Sequence, residues 1–325
     1  MKRRDLLLGF AGAVAGASAA FAQAPRVRRV AVLAPSTAQR EEVTLKPFFD
    51  EMRALGWVEG QTIEYDRAYA DDSAARLDEL AAQVVARKPD LLFAPPSPAA
   101  VAARKATRTI PIVFATATDP VASGLVASLA NPGGNATGII SVADSLAPKL
   151  MEIVREMLPK AKKLALVNQA SDPRARIDGE ALASAAPQFG MTIVVASVVS
   201  PSELRPTVTR LAGQNVDAIL TGTSLIFNLR AQLIEQTNGL RLPVAGHRSE
   251  LADAGAIFSY GASLADQMSK AARMADKVLR GASPSSLPVE QPTRFELVVN
   301  EVAAARLGIK VPPQLLLRAD RVISK

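Results

Sequence analysis

The chain has 325 residues, 49% of them hydrophobic, and a formal net charge of +7. It contains no cysteine, which excludes disulfides, thiol nucleophiles, cysteine-bound metals and a lipidated N-terminal cysteine. Aromatic residues are only 4% and do not interleave with the scattered basic ones, so the charge reads as a solvated surface and no nucleic-acid partner is expected.

The first element is an export signal. Met1-Lys2-Arg3-Arg4-Asp5 gives a basic start, Leu6 to Ala22 is apolar or small throughout, and Ala20-Phe21-Ala22 fits the small-x-small site of signal peptidase. The span is too short and too rich in Gly and Ala for a membrane anchor, so residues 1–22 are expected to be cleaved near Ala22. Arg3-Arg4 before Asp5-Leu6-Leu7 resembles a twin-arginine signal; an ordinary Sec signal would look much the same. Either route makes the protein periplasmic. Three positive charges and one negative leave with Lys2 to Asp5, so about +5 stays on the exported chain.

Short apolar runs and amphipathic stretches then alternate. Strands are expected at Val27 to Ala34, Thr62 to Ala68, Asp90 to Ala94 and Ile110 to Ala115. Helices are expected at Glu42 to Leu55, Ala74 to Arg87 and Pro98 to Thr107. This order implies βαβ units and a parallel sheet. The next stretch, Thr116 to Ser141, combines Asp119-Pro120, which would open a helical turn with Asp as N-cap and Pro following, with a chain reversal at Asn131-Pro132-Gly133-Gly134-Asn135.

The series then recurs. "VRRVAVLAPS" at 27–36 matches "AKKLALVNQA" at 161–170, and "VVARKPDLLFAPPS" matches "LAGQNVDAILTGTS". "RALGWVEGQTIEYD" matches "APQFGMTIVVAS", each with a helix ending at a glycine, Gly56 or Gly190, and "RTIPIVFATA" matches "GLRLPVAGHR". Four matches in one order at similar offsets identify two copies of one open α/β unit. The expected fold is therefore α/β: two similar open parallel-sheet lobes with a ligand cleft between them. Ligands bind outside the carboxyl ends of strands in such sheets, where helix N-termini present free N–H groups. The candidates are Ser36, Thr37, Ser97, Thr116, Thr118 and Asp119 in the first copy. In the second they are Asn168, Ser171, Thr223, Ser224 and His247, with Tyr260 at a crossover.

Each candidate has a structural reading beside the binding one. Ser97, before Pro98, reads as an N-cap whose helix could also hold a carboxylate. Asp119 reads as an N-cap, and Tyr260 as hinge packing or an aromatic wall. His247 is the single histidine, which excludes a histidine metal cluster. With no Gly-x-Ser-x-Gly elbow, no hydrolase is expected. Two-thiol racemase chemistry is excluded by the missing cysteines, and no cofactor is implied.

The segments "LGWVEGQTIEYDRAYAD", "TDPVASGLVASLANPGGNATGI", "AGAIFSYGAS", "ADKVLRGASPSSLPVEQPTRFELVVN" and "LGIKVPP" resemble the ABC-transporter substrate-binding proteins of the tryptophan/tyrosine type, which have the type I periplasmic-binding-protein fold. The resemblance implies two lobes joined by three crossovers, and nothing in the sequence requires more than a monomer. One lobe would hold 26–140 plus about 262–285, including a returning helix near Leu264 to Arg280; the other would hold 141–261 plus about 286–325. It further implies a small-molecule ligand and an inner-membrane ABC permease as partner, with a sensor subunit as the alternative role. One departure from the family is visible. The loop Thr221-Gly222-Thr223-Ser224 has hydroxyls where an acidic residue or Asn is usual, which leaves Asp119 or Asp172 to meet an amino acid's ammonium, or a neutral or acidic solute in its place.

Overall fold

The computed structural model describes residues 26–141, 146–169, 173–221 and 224–324. The first unit runs β1 (Arg28–Ala34), α1 (Ala38–Ala54), β2 (Ile63–Tyr69), α2 (Ala74–Ala86), β3 (Leu91–Phe93), α3 (Ser97–Ala106), β4 (Ile112–Ala117) and β5 (Ala136–Ile140). The second runs α4 (Ala147–Met157), β6 (Lys163–Gln169), α5 (Pro173–Ala185), β7 (Thr192–Val198), α6 (Leu204–Gly213), β8 (Ala218–Thr221), α7 (Ser224–Asn228), α8 (Arg230–Gly239), β9 (Val244–Gly246), α9 (Ser249–Ala254) and β10 (Phe258–Ala262). There follow α10 (Leu264–Leu279), β11 (Phe295–Asn300), α11 (Glu301–Arg306), α12 (Pro313–Arg318) and β12 (Arg321–Ile323).

One sheet has the order β2-β1-β3-β4-β5, all parallel. The other contains β7-β6-β8-β9-β10 and is extended by β11 and β12. The internal repeat is thus a repeat of topology, and it reaches individual bonds. The Asp90 carboxylate accepts from the Arg29 backbone N–H at 2.8 Å, and Asp217 accepts from Lys163 at the same distance. Leu92 N–H donates to Pro111 O at 2.8 Å, and Ile219 N–H to Pro243 O at 2.9 Å. Gly56 and Gly190 both carry left-handed φ, +93° and +64°, where the helical segment before each sheet-edge strand ends. The sequence pattern does not anticipate β11, which pairs antiparallel with β10.

Both faces of each sheet are covered, so the central strands are continuous apolar runs. On one face of the first sheet Val30, Val32, Leu91 and Phe93 pack under Leu45, Phe48 and Met52 of α1. Phe48 stacks on Phe93 with centroids 3.7 Å apart, and its burial contributes about 2–3 kcal/mol. Beside α1 lies α10. Ala271, Ala272 and Ala275 are buried in the same core, and such small side chains let two helices approach closely. The Trp57 indole N–H donates to Asp276 of α10 at 2.8 Å, and Arg273 pairs with Glu51 at 2.8 Å.

The chain stays with the first sheet past α10. Thr137 Oγ1 donates to Leu287 O at 2.7 Å, and the Glu290 N–H donates to Gly138 O at 2.9 Å, so pairing continues about five residues beyond 285. No helix among the described residues is long and apolar enough to cross a membrane. The expected signal peptide, 1–22, lies outside the described residues.

Candidate ligand-binding site

The strand ends of the first sheet carry the predicted residues on half-buried loops. Ser36 and Thr37 link β1 to α1, and Thr37 is the extended N-cap of that helix. The Thr37 hydroxyl does not cap α1; it accepts from Arg40 Nε at 3.3 Å. Nor does Ser97 cap its own helix as expected. Its Oγ accepts from the Thr118 backbone N–H at 2.9 Å, and Pro96 occupies the N-cap position. That contact holds the loop after β4 against the start of α3. Thr116 sits where the β4–β5 register shifts and has φ +55°, a left-handed conformation that is an outlier for a β-branched residue and turns the loop out of the sheet. Asp119 caps the expected turn, its Oδ1 accepting from Ala122 N–H at 2.9 Å, and it is exposed. The Ser141 N–H donates to Ala117 O at 2.8 Å, which ties this loop to the first crossing.

The second sheet alters the expected list. Asn168 is 1% exposed. Its amide donates to Ala175 O at 3.3 Å and accepts from Ser197 Oγ at 2.9 Å. Both ends of the side chain are engaged inside the unit, so Asn168 braces β6 against α5 and β7. Ser171, Asp172 and Thr223 lie outside the described residues; Ser224 opens α7. His247 follows β9 and is half-buried. A Cβ on Gly261 would stand 1.7 Å from the His247 carbonyl oxygen, so only glycine permits β10 to pass that loop. Tyr260 is half-buried and packs on the core of the second sheet, its ring 6.2 Å from that of Phe295.

Sequence reasoning missed five charged or titratable groups beside these. Arg248, next to His247, lays its guanidinium 3.6 Å from the centroid of Phe227 and pairs with Glu250 at 3.0 Å. Arg230 covers the same ring at 4.6 Å. Burial alone would raise the Glu250 carboxyl, but Arg248, and more weakly Arg230, hold it below the usual carboxylate range. Opposite lies Glu41, in the first turn of α1 and 7% exposed. Burial pushes its carboxyl up to about 7, while Arg40, Arg248 and a hydrogen bond from the Ser36 backbone pull it back. Arg248 belongs to the second sheet, so the loop after β9 carries a cation whose field reaches Glu41 on α1. Tyr69, ending β2, is pushed above the usual phenol range by burial first, then by Glu41 and Glu42 against the opposing Arg67. The legible signal was the spacing Glu41, Leu45, Phe48, Met52, in which a carboxylate occupies the last position of an apolar stripe.

No group of acidic or histidine residues among the described ones is arranged to hold a metal. A groove of about 420 Å³ on the outer seam of α1 and α10, near Val43 and Ser269, contains none of these residues.

The comparisons with known proteins agree with the fold. Residues 29–323 match the model of the ABC transporter substrate binding protein family. A tyrosine-binding protein of Clostridioides difficile is 30% identical over 258 residues, 79% of this chain and 74% of that protein. A conserved domain protein from Vibrio cholerae superposes with a TM-score of 0.84 at 29% identity, covering 91% of this chain and all of the other. The ABC domain of a Streptococcus protein solved with L-Trp gives 0.84 at 25% identity with the same coverage. The chain belongs to the ABC transporter substrate binding protein family, whose members bind solutes and are not enzymes.

Proposed function

We propose that this protein is the extracytoplasmic solute-binding component of an ABC importer, taking an amino acid or a small or aromatic carboxylate between two lobes that close about a hinge. The observation that carries the reading is the pair of sheets with one strand order, whose carboxyl-end segments carry Glu41 on one and Arg248 on the other with the charge of Arg248 acting on Glu41. The tyrosine-binding relative and the L-Trp complex support the ligand class. The lobes would be 26–140 with the α10 return, and 141–261 with the C-terminal strands. The pairing of Glu290 with β5 supports a last crossing between Glu290 and Phe295. The chain would cross between lobes after Ile140, again at Ser263, and there, so a few backbone torsions could carry closure. Ligand would shift the population to the closed form, which an inner-membrane permease would recognise. The protein would act as a periplasmic, non-lipidated monomer after loss of its signal peptide.

The test is a thermal-shift panel of amino acids, aromatic acids and small carboxylates on the purified protein. Ligand at a hundred times its Kd adds about 2.7 kcal/mol to the folded state, a rise of about 4 °C in a chain of this size. A cooperative transition that no member of the panel moves would overturn the reading.

A further inference from the structure

We propose that Glu41 receives the cationic group of the ligand, which makes the site selective for solutes that carry an ammonium. This rests on the solute-binding reading above and names a residue that determines its specificity.

The buried face of α1 is Glu41, Leu45, Phe48 and Met52. The last three enter the core under β1 and β3, and Glu41 continues the same line one turn further toward the carboxyl ends of the strands. It is 7% exposed, yet no lysine, arginine or histidine pairs with it among the described residues. The charged groups around it are engaged elsewhere. Arg40, its neighbour on α1, is bonded to Asp72, in the loop after β2, and to Thr37 Oγ1. Arg248, facing it from the loop after β9, is paired with Glu250 and stacked on Phe227. Tyr69 lies nearby at the end of β2. What Glu41 itself holds is one backbone N–H, from Ser36.

A buried carboxylate with a single neutral donor is under-compensated. It must take either a proton or a cation, and burial, which raises its carboxyl, favours the proton without ligand. An ammonium at that position supplies the missing charge through strong ionic hydrogen bonds. Binding then expels the proton that Glu41 held, because the carboxylate form is the one that pairs. The acceptor that the second-unit loop Thr221–Ser224 lacks is supplied by the first unit. Asp119, one of the two acids the sequence offered, is exposed and caps its own turn.

The experiment is isothermal titration of the purified protein with L-tyrosine, L-tryptophan and L-leucine, and with the desamino acids of the same side chains. Each is run at pH 6 and pH 8.5, in buffers of different ionisation enthalpy. The expected result is binding of an amino acid with release of up to about one proton at pH 6 and almost none at pH 8.5. Glu41→Gln should abolish the release and weaken that ligand roughly 30-fold, the size of a lost charge-assisted hydrogen bond. Proton release in the unaltered protein is an independent readout that needs no variant. Amino acid binding that the variant leaves within threefold, or that releases no proton at pH 6, would overturn the assignment while leaving the solute-binding reading intact. Tighter binding of a desamino acid would do the same. Failure of every probe to bind would overturn the reading on which it rests, and the assignment with it.

Discussion

Replacing Glu41 by Gln should make the ligand-free protein more stable, and only at higher pH. Burial raises this carboxyl from 4.5 to about 7, with Asp72 adding and Arg40, Arg248 and the Ser36 N–H opposing. Below pH 4.5 the group is protonated in both folded and unfolded chains, and the glutamate carries no penalty. Between 4.5 and about 7 the unfolded chain loses the proton and the folded one keeps it, so stability falls as pH rises. Above pH 7 the penalty is complete and constant. A rise of this size corresponds to roughly 3 kcal/mol, or about 5 °C in melting temperature for a chain of this length. Glutamine keeps an oxygen for the Ser36 N–H and has no charge to desolvate. Thermal and urea unfolding of both proteins without ligand, at pH 4, 6 and 8, should show curves that coincide at pH 4 and separate in favour of the variant by pH 8. A gap that is constant with pH, or that widens on acidification, would show that the carboxyl does not titrate in this window, and the reasoning would fall.

Four further substitutions test the frame around it. Gly261→Ala forces a methyl onto the His247 carbonyl, 1.7 Å away, and should cost about 1–3 kcal/mol by overpacking while weakening ligand binding through the displaced Arg248 loop; urea unfolding and titration read the two effects. Thr116→Gly relieves a left-handed φ of +55° and should stabilise by up to about 1 kcal/mol, yet lower affinity if the threonine hydroxyl meets the solute. Ser97→Ala leaves the Thr118 N–H without its acceptor, and should cost about 1–2 kcal/mol and loosen the loop after β4, seen as faster amide exchange at Thr118. Asn168→Ala removes a buried brace and should destabilise by about 2 kcal/mol with ligand affinity unchanged; a large loss of affinity would show that Asn168 also meets the ligand.

The repeat was legible because it is written in residues that make the sheets. Asp90 and Asp217, Pro111 and Pro243, and Gly56 and Gly190 occupy equivalent places and perform equivalent tasks, so their spacing predicts topology directly. The site was less legible. A strand end can be located from sequence, but which hydroxyl or amide there faces a ligand depends on partners far along the chain. Ser97 is engaged by Thr118 and Asn168 by Ser197, contacts set by how neighbouring strands align. The β10–β11 pair was missed for a related reason, since an antiparallel return needs no crossover helix to announce it.

Duplication explains the frame, and departure from duplication explains the chemistry. In the first unit the helix after the leading strand places Glu41 at the edge of an apolar face. In the second, the loop after β9 places Arg248 against Phe227 and Glu250. These are not equivalent positions in the two copies; an acid in one unit faces a base in the other. Two such units can be held by the same backbone rules and still present unlike charges across the gap between them. The arrangement suits a small polar solute, because each unit alone has a poorly compensated or only locally satisfied charge. The Glu41 carboxylate is the sharper case, since burial removes water and the available guanidiniums are committed to other partners. If Glu41 takes the cation, the penalty of about 3 kcal/mol that burial imposes on it at neutral pH without ligand would be relieved on binding and turned into selectivity.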